Sequence, residues 1–290
     1  MSQEESIGHI LETFQRIEIT EYHIYKRLSM SIKDPENSRI LDQIADDELR
    51  HAEDWKKYTQ RDIKPSQWDI FKYTLISRLF GFTFGIKLME RGEEKAQANY
   101  AQLKGKIPEI ENWIREEEIH EQKLLAMLDE ERLRYAGSVV LGLNDALVEL
   151  TGALAGLTLA LRDVKLIALS GLITGIAASL SMAASEYLAT RSEDTDKHPV
   201  RAAIYTGIAY IITVVLLVLP YLLIPNYIID LIITLTIGVL IIAVFNYYIS
   251  VAKDEPFKPR FLEMAGLSLG VATFSFIIGY FIRLWLGVDV

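Results

Sequence analysis

Two Glu-x-x-His pairs are the strongest candidates for metal chemistry in this chain. Glu48 and His51 occur in the segment DDELRHAEDW, and Glu117 and His120 occur in REEEIHEQKL. Residues three positions apart share one face of a helix, so each pair brings a carboxylate and an imidazole to one point. Two such pairs on two helices of a bundle are typical of a site that holds two metal ions between carboxylates.

A complete site of this kind needs one further glutamate from each of two other helices. Glu18 and Glu21 are available in the first helical segment, and Glu90 and Glu93 in the third. We favour Glu18 and Glu93, because each is followed seven residues later by a tyrosine, with Glu90 as an extra ligand. Carboxylate and imidazole ligands suit Fe²⁺ and Mn²⁺, and Zn²⁺ also fits.

Long helices must position these ligands. Strand-like alternation is missing before residue 137, and the few prolines fall where turns or helix starts are expected. We predict four helices, near 5–31, 36–60, 68–103 and 109–134. Short links between long helices favour antiparallel neighbours, so residues 1–137 are predicted to form a four-helix bundle.

The charge distribution divides the chain in two. Residues 1–137 contain 21 Lys and Arg and 27 Asp and Glu, whereas residues 138–290 contain only 9 and 12. The second part has apolar stretches long enough to cross a bilayer core of about 30 Å. We predict five spans, near 138–161, 166–190, 201–224, 228–251 and 262–286. The predicted fold class is all-α, with a soluble bundle followed by a five-helix membrane domain.

Composition excludes several classes of function. The chain has no cysteine, which rules out disulfides, thiolate metal sites and cysteine nucleophiles. The net charge of −9 argues against a nucleic-acid partner. The N-terminal segment lacks the basic and then apolar pattern of a signal peptide. The first domain is therefore expected to remain in the cytoplasm.

Basic residues near the span ends predict the orientation of the membrane domain. Eight Lys and Arg flank one side of the predicted spans and three flank the other. The side with the excess is expected to face the cytoplasm. The protein is thus predicted to be a multi-pass protein of the cell membrane, with the N-terminus inside and the C-terminus outside.

Ionisable residues within the spans form a second set of candidates. Asp145 and Glu149 lie four residues apart in the first span, and Met182 and Glu186 lie four apart in the second. A charged side chain at the centre of a span costs about 2.5–3.5 kcal/mol on insertion scales, so such residues mark ion pathways. Carboxylates release protons as a metal binds, which predicts a pathway for divalent cations and protons. Asp230, near a span end, is expected at the membrane interface.

The segments LGLNDALVELTGALAGL and ITGIAASLSMAASEYLATRSE resemble the vacuolar iron transporter family. The resemblance covers the five spans and implies that Asp145, Met182 and Glu186 belong to the metal pathway. It also implies export of cytosolic Fe²⁺ or Mn²⁺ by proton antiport, in a homodimer. Many members carry a long metal-binding insert between spans two and three, whereas the link RSEDTDKHPV is short here.

The paired motifs of residues 1–137 resemble the ferritin-like, rubrerythrin-type di-iron domain, which implies an Fe²⁺/Fe³⁺ cofactor. The fusion of the two parts resembles the bacterial membrane-bound ferritins. The Cys₄ rubredoxin module of rubrerythrins cannot be present in a chain without cysteine, so the electron relay of a peroxidase cycle is missing.

Two functions follow from these observations. The leading interpretation is a divalent-metal exporter whose ferritin-like domain captures or senses the metal. The alternative is a membrane-anchored di-iron ferroxidase or peroxidase. A pure anchor needs only one or two spans and no acid within the membrane, which favours transport. The sequence leaves open the choice of iron or manganese and whether the bundle oxidises iron, and no residue is assigned a catalytic role.

Overall fold

Helices account for all the regular secondary structure in the residues described by the computed structural model, which are 3–97, 107, 110–126, 134–193 and 195–287. Ten helices occur in these residues, as the all-α prediction requires. The chain divides into two compact units, Met1–Glu130 and Glu131–Val290.

The described part of the first unit contains five helices. These are α1 (Gln3–Ser29), α2 (Pro35–Thr59), α3 (Gln67–Phe80), α4 (Phe82–Gln97) and α5 (Ile110–Ala126). Local signals set two of the starts. Asp34 accepts a hydrogen bond from a backbone N–H in the first turn of α2, where Pro35 needs no partner, and Ser66 caps α3 in the same way.

The single long helix predicted over 68–103 is wrong. The helix stops before Gly81 and a new helix begins after it, and Gly81 has φ 101°, a conformation that strains residues with a Cβ. The backbone of α4 then approaches α3 so closely that a Cβ at Gly85 would collide with the Ser77 hydroxyl. The apolar periodicity of this segment runs through both glycines and conceals the break. Residues 98–106 lie outside the described residues.

The core of the first unit holds α1 and α2 against α3 and α4. Its buried side chains are Ile24, Tyr25, Leu28, Leu41, Ile44, Ala45, Ile70, Ile86 and Met89. A second cluster contains Phe14 from α1, Trp55 from α2 and Trp113 from α5. Removal of these apolar surfaces from water stabilises the packing of α1, α2 and α5, which carry the Glu and His residues.

The second unit contains five helices that are long and apolar enough to cross a membrane. These are α6 (Ala136–Leu161), α7 (Val164–Ser192), α8 (Pro199–Leu223), α9 (Tyr227–Lys253) and α10 (Phe257–Leu286). Each coincides with one predicted span, so the prediction of five spans is confirmed.

Helix α6 lies at the centre of the second unit and packs against all four other spans. Glycines permit the closest of these contacts. A Cβ at Gly142 would collide with the backbone of Thr206 on α8, and a Cβ at Gly279 on α10 would collide with the backbone of Gly156. Small residues at helix contacts are typical of membrane proteins. The close packing fixes the helix that carries Asp145 and Glu149.

Candidate functional site

Three helices of the first unit bring four predicted ligands together. Glu18 from α1, Glu48 and His51 from α2, and Glu117 from α5 each offer one ligand atom, and these atoms all lie within 4.8 Å of one another. Glu18, Glu48 and His51 are buried, and Glu117 is half-buried. Distant parts of the sequence thus converge on one buried cluster, which we call the carboxylate–histidine centre.

Glu48 and Glu117 each face His51 of this centre and also His120, which lies beside it on α5. The Glu48 oxygens lie 3.4 Å from His51 Nδ1 and 3.1 Å from His120 Nδ1. The Glu117 oxygens lie 3.4 Å from His51 Nδ1 and 3.9 Å from His120 Nδ1. Glu18 adds a further carboxylate oxygen, 3.7 Å from His51 Nδ1. Two carboxylates with one oxygen toward each imidazole form the arrangement that a pair of bridged cations requires.

Unsatisfied atoms provide a test of whether a cation fits here. Glu48 Oε2, His51 Nδ1 and His120 Nδ1 are buried without a hydrogen-bond partner in the described part of the chain. A buried polar group without a partner costs about 1–3 kcal/mol. A cation would satisfy all three atoms at once, and the set of oxygen and imidazole donors suits Fe²⁺, Mn²⁺ or Zn²⁺.

Burial and crowding change the protonation of the centre. Burial, with repulsion from Glu117, raises the pKa of Glu48 to about 8. Burial disfavours the charged form of His51, but the carboxylates of Glu117, Glu18 and Glu48 prevail and raise its pKa. Burial likewise opposes the charge on His120, whose pKa is raised by Glu48. Without a cation the centre therefore holds protons near neutral pH.

The other predicted glutamates occupy different positions relative to this centre. Burial opposes ionisation of Glu18, but the neighbouring His51 keeps the pKa of its carboxyl below the ordinary value, and Trp55 Nε1 donates a hydrogen bond to it at 3.2 Å. Glu21 is buried but is not one of the four clustered ligands. Glu90 and Glu93 lie on α4, and their side chains are outside the described residues, so both remain predictions.

Sequence reasoning missed three residues that support the histidines. His51 Nε2 lies 2.7 Å from Glu116 on α5, and His120 Nε2 lies 3.1 Å from Asp47 on α2. Arg50 joins the two acids, at 2.8 Å from Asp47 and 3.1 Å from Glu116. These contacts turn the opposite ring nitrogens toward the centre. The available signal was an acid directly before the glutamate of each Glu-x-x-His motif.

The predicted pathway residues of the second unit lie along α6. Asp145 is half-buried and Glu149 is exposed on the single chain, one turn apart. Tyr210 on α8 donates a hydrogen bond to Glu149 Oε2 at 3.2 Å. Its hydroxyl ties this acid to α8.

The two candidates on α7 occupy different surroundings. Ser138 on α6 donates a hydrogen bond to Glu186 Oε1 at 2.6 Å. Met182 packs against the apolar core of the unit. Ser138 precedes Asp145 by about 10 Å along the helix axis. Glu186 on α7 therefore lies beside a different part of α6 from the one that carries Asp145, and the two acids do not form one cluster.

The expectation that Asp230 lies at the membrane interface stays a prediction, and its burial was not foreseen. It lies in the first turn of α9, and its side chain is fully buried rather than exposed at an interface. The packing of α9 against α6, α8 and α10 covers it. Sequence position along a span does not reveal which neighbouring helices cover a residue, so this burial could not be predicted.

Five helices that are long and apolar enough to cross a membrane indicate a multi-pass membrane protein, and its central helix carries two acids. Residues 136–198 match the model of the VIT family, and this segment contains Asp145, Glu149, Met182 and Glu186. No match was found among curated proteins or among solved structures.

Proposed function

We propose that this protein exports Fe²⁺ or Mn²⁺ from the cytosol across the cell membrane in exchange for protons. The observation that carries the proposal is the VIT family domain over residues 136–198, together with the acids Asp145 and Glu149 on its central helix. The excess of basic residues on one side of the spans supports a cytoplasmic N-terminus and an external C-terminus.

Asp145 and Glu149 are proposed to take the metal in the membrane. Each carboxyl is protonated when the metal is absent and loses its proton when the metal binds, which couples the two movements in opposite directions. The Tyr210 hydroxyl donates to Glu149 and orients it. Glu186 near the Ser138 end and the thioether of Met182 complete the proposed route.

A homodimer is part of this proposal. Glu149 is exposed on the single chain although its helix is apolar enough to lie within a membrane. A carboxylate facing lipid is costly, so the exposed side of α6 needs a polar partner or a water-filled cavity. A second copy with its own Asp145 and Glu149 would enclose such a cavity.

The first unit is proposed to be a ferritin-like domain, residues 1–137, that captures or senses cytosolic metal. Glu18, Glu48, His51, Glu117 and His120 would hold two ions, with Glu90 or Glu93 completing the set. Bound iron would supply redox chemistry, and the fit rests on the three unsatisfied buried atoms. Asp47, Glu116 and Arg50 would keep the histidine rings in place.

A membrane-anchored ferroxidase or peroxidase is the second candidate. The observation that favours it is the pair of carboxylates that each face both histidines. Such a centre suits two iron ions that react, and not only metal ions that are captured. In this alternative the spans serve as an anchor and the acids on α6 have no role in catalysis.

Metal flux and iron oxidation measured on the same preparation separate the two candidates. The full chain is reconstituted into sealed vesicles, and Fe²⁺ and Mn²⁺ movement is followed with and without a pH gradient. The proposal expects flux of both ions, and this flux should increase with the pH gradient. Mn²⁺ should move across the membrane without being oxidised. Rapid Fe²⁺ oxidation without flux of either ion would replace transport by the anchored oxidase.

A further inference from the structure

Asp230 is a buried acid that the proposed metal route does not use. Its side chain is 0% exposed. Neither carboxyl oxygen has a hydrogen-bond partner in the described part of the chain. The Asn226 side chain accepts hydrogen bonds from the N–H groups of Ile228 and Ile229, so the start of α9 is capped without the Asp230 carboxyl group. An acid left without a partner inside a membrane helix bundle calls for a function.

The neighbours of Asp230 offer an acceptor for a proton. Thr158 donates its hydroxyl to the carbonyl of Leu154 at 2.6 Å, so the 2.8 Å bond between the Thr158 and Tyr221 hydroxyls is donated by Tyr221. The Tyr221 oxygen then keeps lone pairs that accept from another donor. The Asp230 carboxyl lies close enough to Tyr221 to interact electrostatically. A neutral Asp230 avoids placing a negative charge near this hydroxyl oxygen.

Among the described residues, no cation forms an ion pair with Asp230. Helix α9 packs against α6, α8 and α10. Tyr221 is the titratable group from α8, and α6 contributes the Thr158 hydroxyl. The charged residues at the far ends of α6 and α10 are Arg162 and Arg283, and burial is the one influence resolved on Asp230. An isolated carboxylate in such surroundings is unstable, and the group takes up a proton instead.

Asp230 also lies at a defined level of the membrane unit. Helices α6 and α8 make polar contacts at three levels, which follow the same order along both helices. These contacts join Ser138 with Thr206, Glu149 with Tyr210, and Thr158 with Tyr221. Thr158 follows Ser138 by 20 residues, about 30 Å along the helix. Thr158 and Tyr221, and with them Asp230, are therefore at the opposite end of the spans from Glu186.

We propose that Asp230 is a second intramembrane proton-binding site, which accepts protons at the end of the spans opposite to Glu186 and supplies them to the transport cycle. The carboxylate takes a proton from water on its side of the membrane. Release of that proton toward Asp145 and Glu149 leaves the carboxylate ready for the next one. The role in transport rests on the proposed antiport function, whereas the protonation of Asp230 does not.

Infrared spectroscopy of the full chain in lipid tests the protonation directly. At neutral pH the wild-type protein should show a carboxylic-acid signal that is absent from Asp230→Asn and retained in Asp196→Asn, a control in an exposed loop. Tyr221→Phe should shift the same signal, since it removes the neighbouring hydroxyl, and it keeps the test decisive if Asp230→Asn fails to fold. Equal acid signals in wild type and Asp230→Asn, or an unshifted signal in Tyr221→Phe, would overturn the proposal.

Flux measurements test the use of this proton. In sealed vesicles, Asp230→Asn should retain downhill Mn²⁺ movement, but an imposed pH gradient should no longer accelerate it, while Asp196→Asn behaves as wild type. Acceleration by the gradient equal to wild type would remove Asp230 from the cycle. If wild type itself moves no metal, the proposed function fails, and the infrared result still decides whether Asp230 binds a proton.

Discussion

At the scale of residues, the carboxylate–histidine centre derives its chemistry from acids forced close together. Glu48 and Glu117 approach both His51 and His120, and burial denies them water. The ligands on α2 and α5 were predictable from the sequence because helix periodicity fixes which residues share a face. Glu116 and Asp47 were not, because each supports the histidine of the other helix, and only the packing of α2 on α5 reveals that exchange.

Removal of the two shared carboxylates should remove the metal from the first unit. The full chain with Glu48→Gln and Glu117→Gln is expected to bind about two fewer Mn²⁺ ions than wild type, because these are the two carboxylates that face both histidines among the described side chains. Elemental analysis after gel filtration measures the ratio. Glu53→Gln and Glu118→Gln, which alter exposed acids on the same helices, are the matched controls. Full metal content in the first double variant would contradict the assignment.

The stability of the metal-free first unit should fall as pH rises from about 6.5 to about 8. In this window the folded state keeps protons on His51, His120 and Glu48, whose pKa values are raised, while the unfolded chain loses them. The acids with lowered pKa values are already ionised in both states and do not contribute here. Hydrogen exchange of α2 in the full chain with a chelator measures the trend. Mn²⁺ should reverse it, and a metal-free stability that rises with pH would contradict this account.

Loss of the arginine that joins the supporting acids should weaken metal binding without removing a ligand. Arg50→Ala frees Asp47 and Glu116, so the histidine rings lose their orientation. We expect affinity for Mn²⁺ to fall about 10- to 100-fold, the usual cost of losing an outer-shell contact. Titration calorimetry measures it, with Arg115→Ala on an exposed part of α5 as the control. An affinity equal to wild type would show that the ligands hold themselves in place.

At the scale of elements, the apolar helices were predictable and their interruptions were not. The five spans follow from runs of apolar residues, which bilayer thickness requires of any crossing helix. The break at Gly81 has no such signature, because apolar periodicity continues through it while the backbone adopts φ 101°. The burial of Asp230 was also hidden, since it depends on which helices pack around α9.

Close helix contacts in the membrane unit predict a position-specific effect of glycine substitutions on α10. Gly279→Ala should destabilise the protein by about 1–3 kcal/mol, the usual cost of overpacking, because the added methyl group meets the backbone of Gly156. Gly266→Ala and Gly270→Ala should have little effect, since nothing lies within 4 Å of either position. Thermal unfolding in detergent measures the difference. Equal loss at all three positions would contradict the packing argument, because alanine favours a helix more than glycine does.

At the scale of the whole molecule, two units with different chemistry occur in one chain. The first has a buried carboxylate–histidine centre suited to divalent metal, and the second has a VIT family domain with acids on its central helix. The proposed capture and export of one class of ion would assign a function to both units, which anchoring alone would not. On this account, loss of the first centre lowers metal delivery but leaves a route across the membrane.

The other pathway residues should rank below Asp145 in their effect on flux. Glu149→Gln, Met182→Ala and Glu186→Gln are each expected to reduce Mn²⁺ movement without abolishing it. The Glu149→Gln variant retains the nearby Asp145 carboxyl. Glu186 contacts Ser138, which lies about 10 Å from Asp145 along the axis of α6. Initial rates in sealed vesicles at matched protein content measure the ranking. Wild-type rates in all three variants would remove these positions from the route.

Flux through Asp145→Asn is the most direct test of the central claim that acids on α6 carry the metal. The substitution keeps the shape of the side chain and removes the charge that attracts a divalent cation and exchanges its proton. With insertion and dimerisation verified, and with Asp196→Asn as the control, the account predicts that Fe²⁺ and Mn²⁺ movement in sealed vesicles stops. Flux equal to wild type at matched protein per vesicle would contradict it.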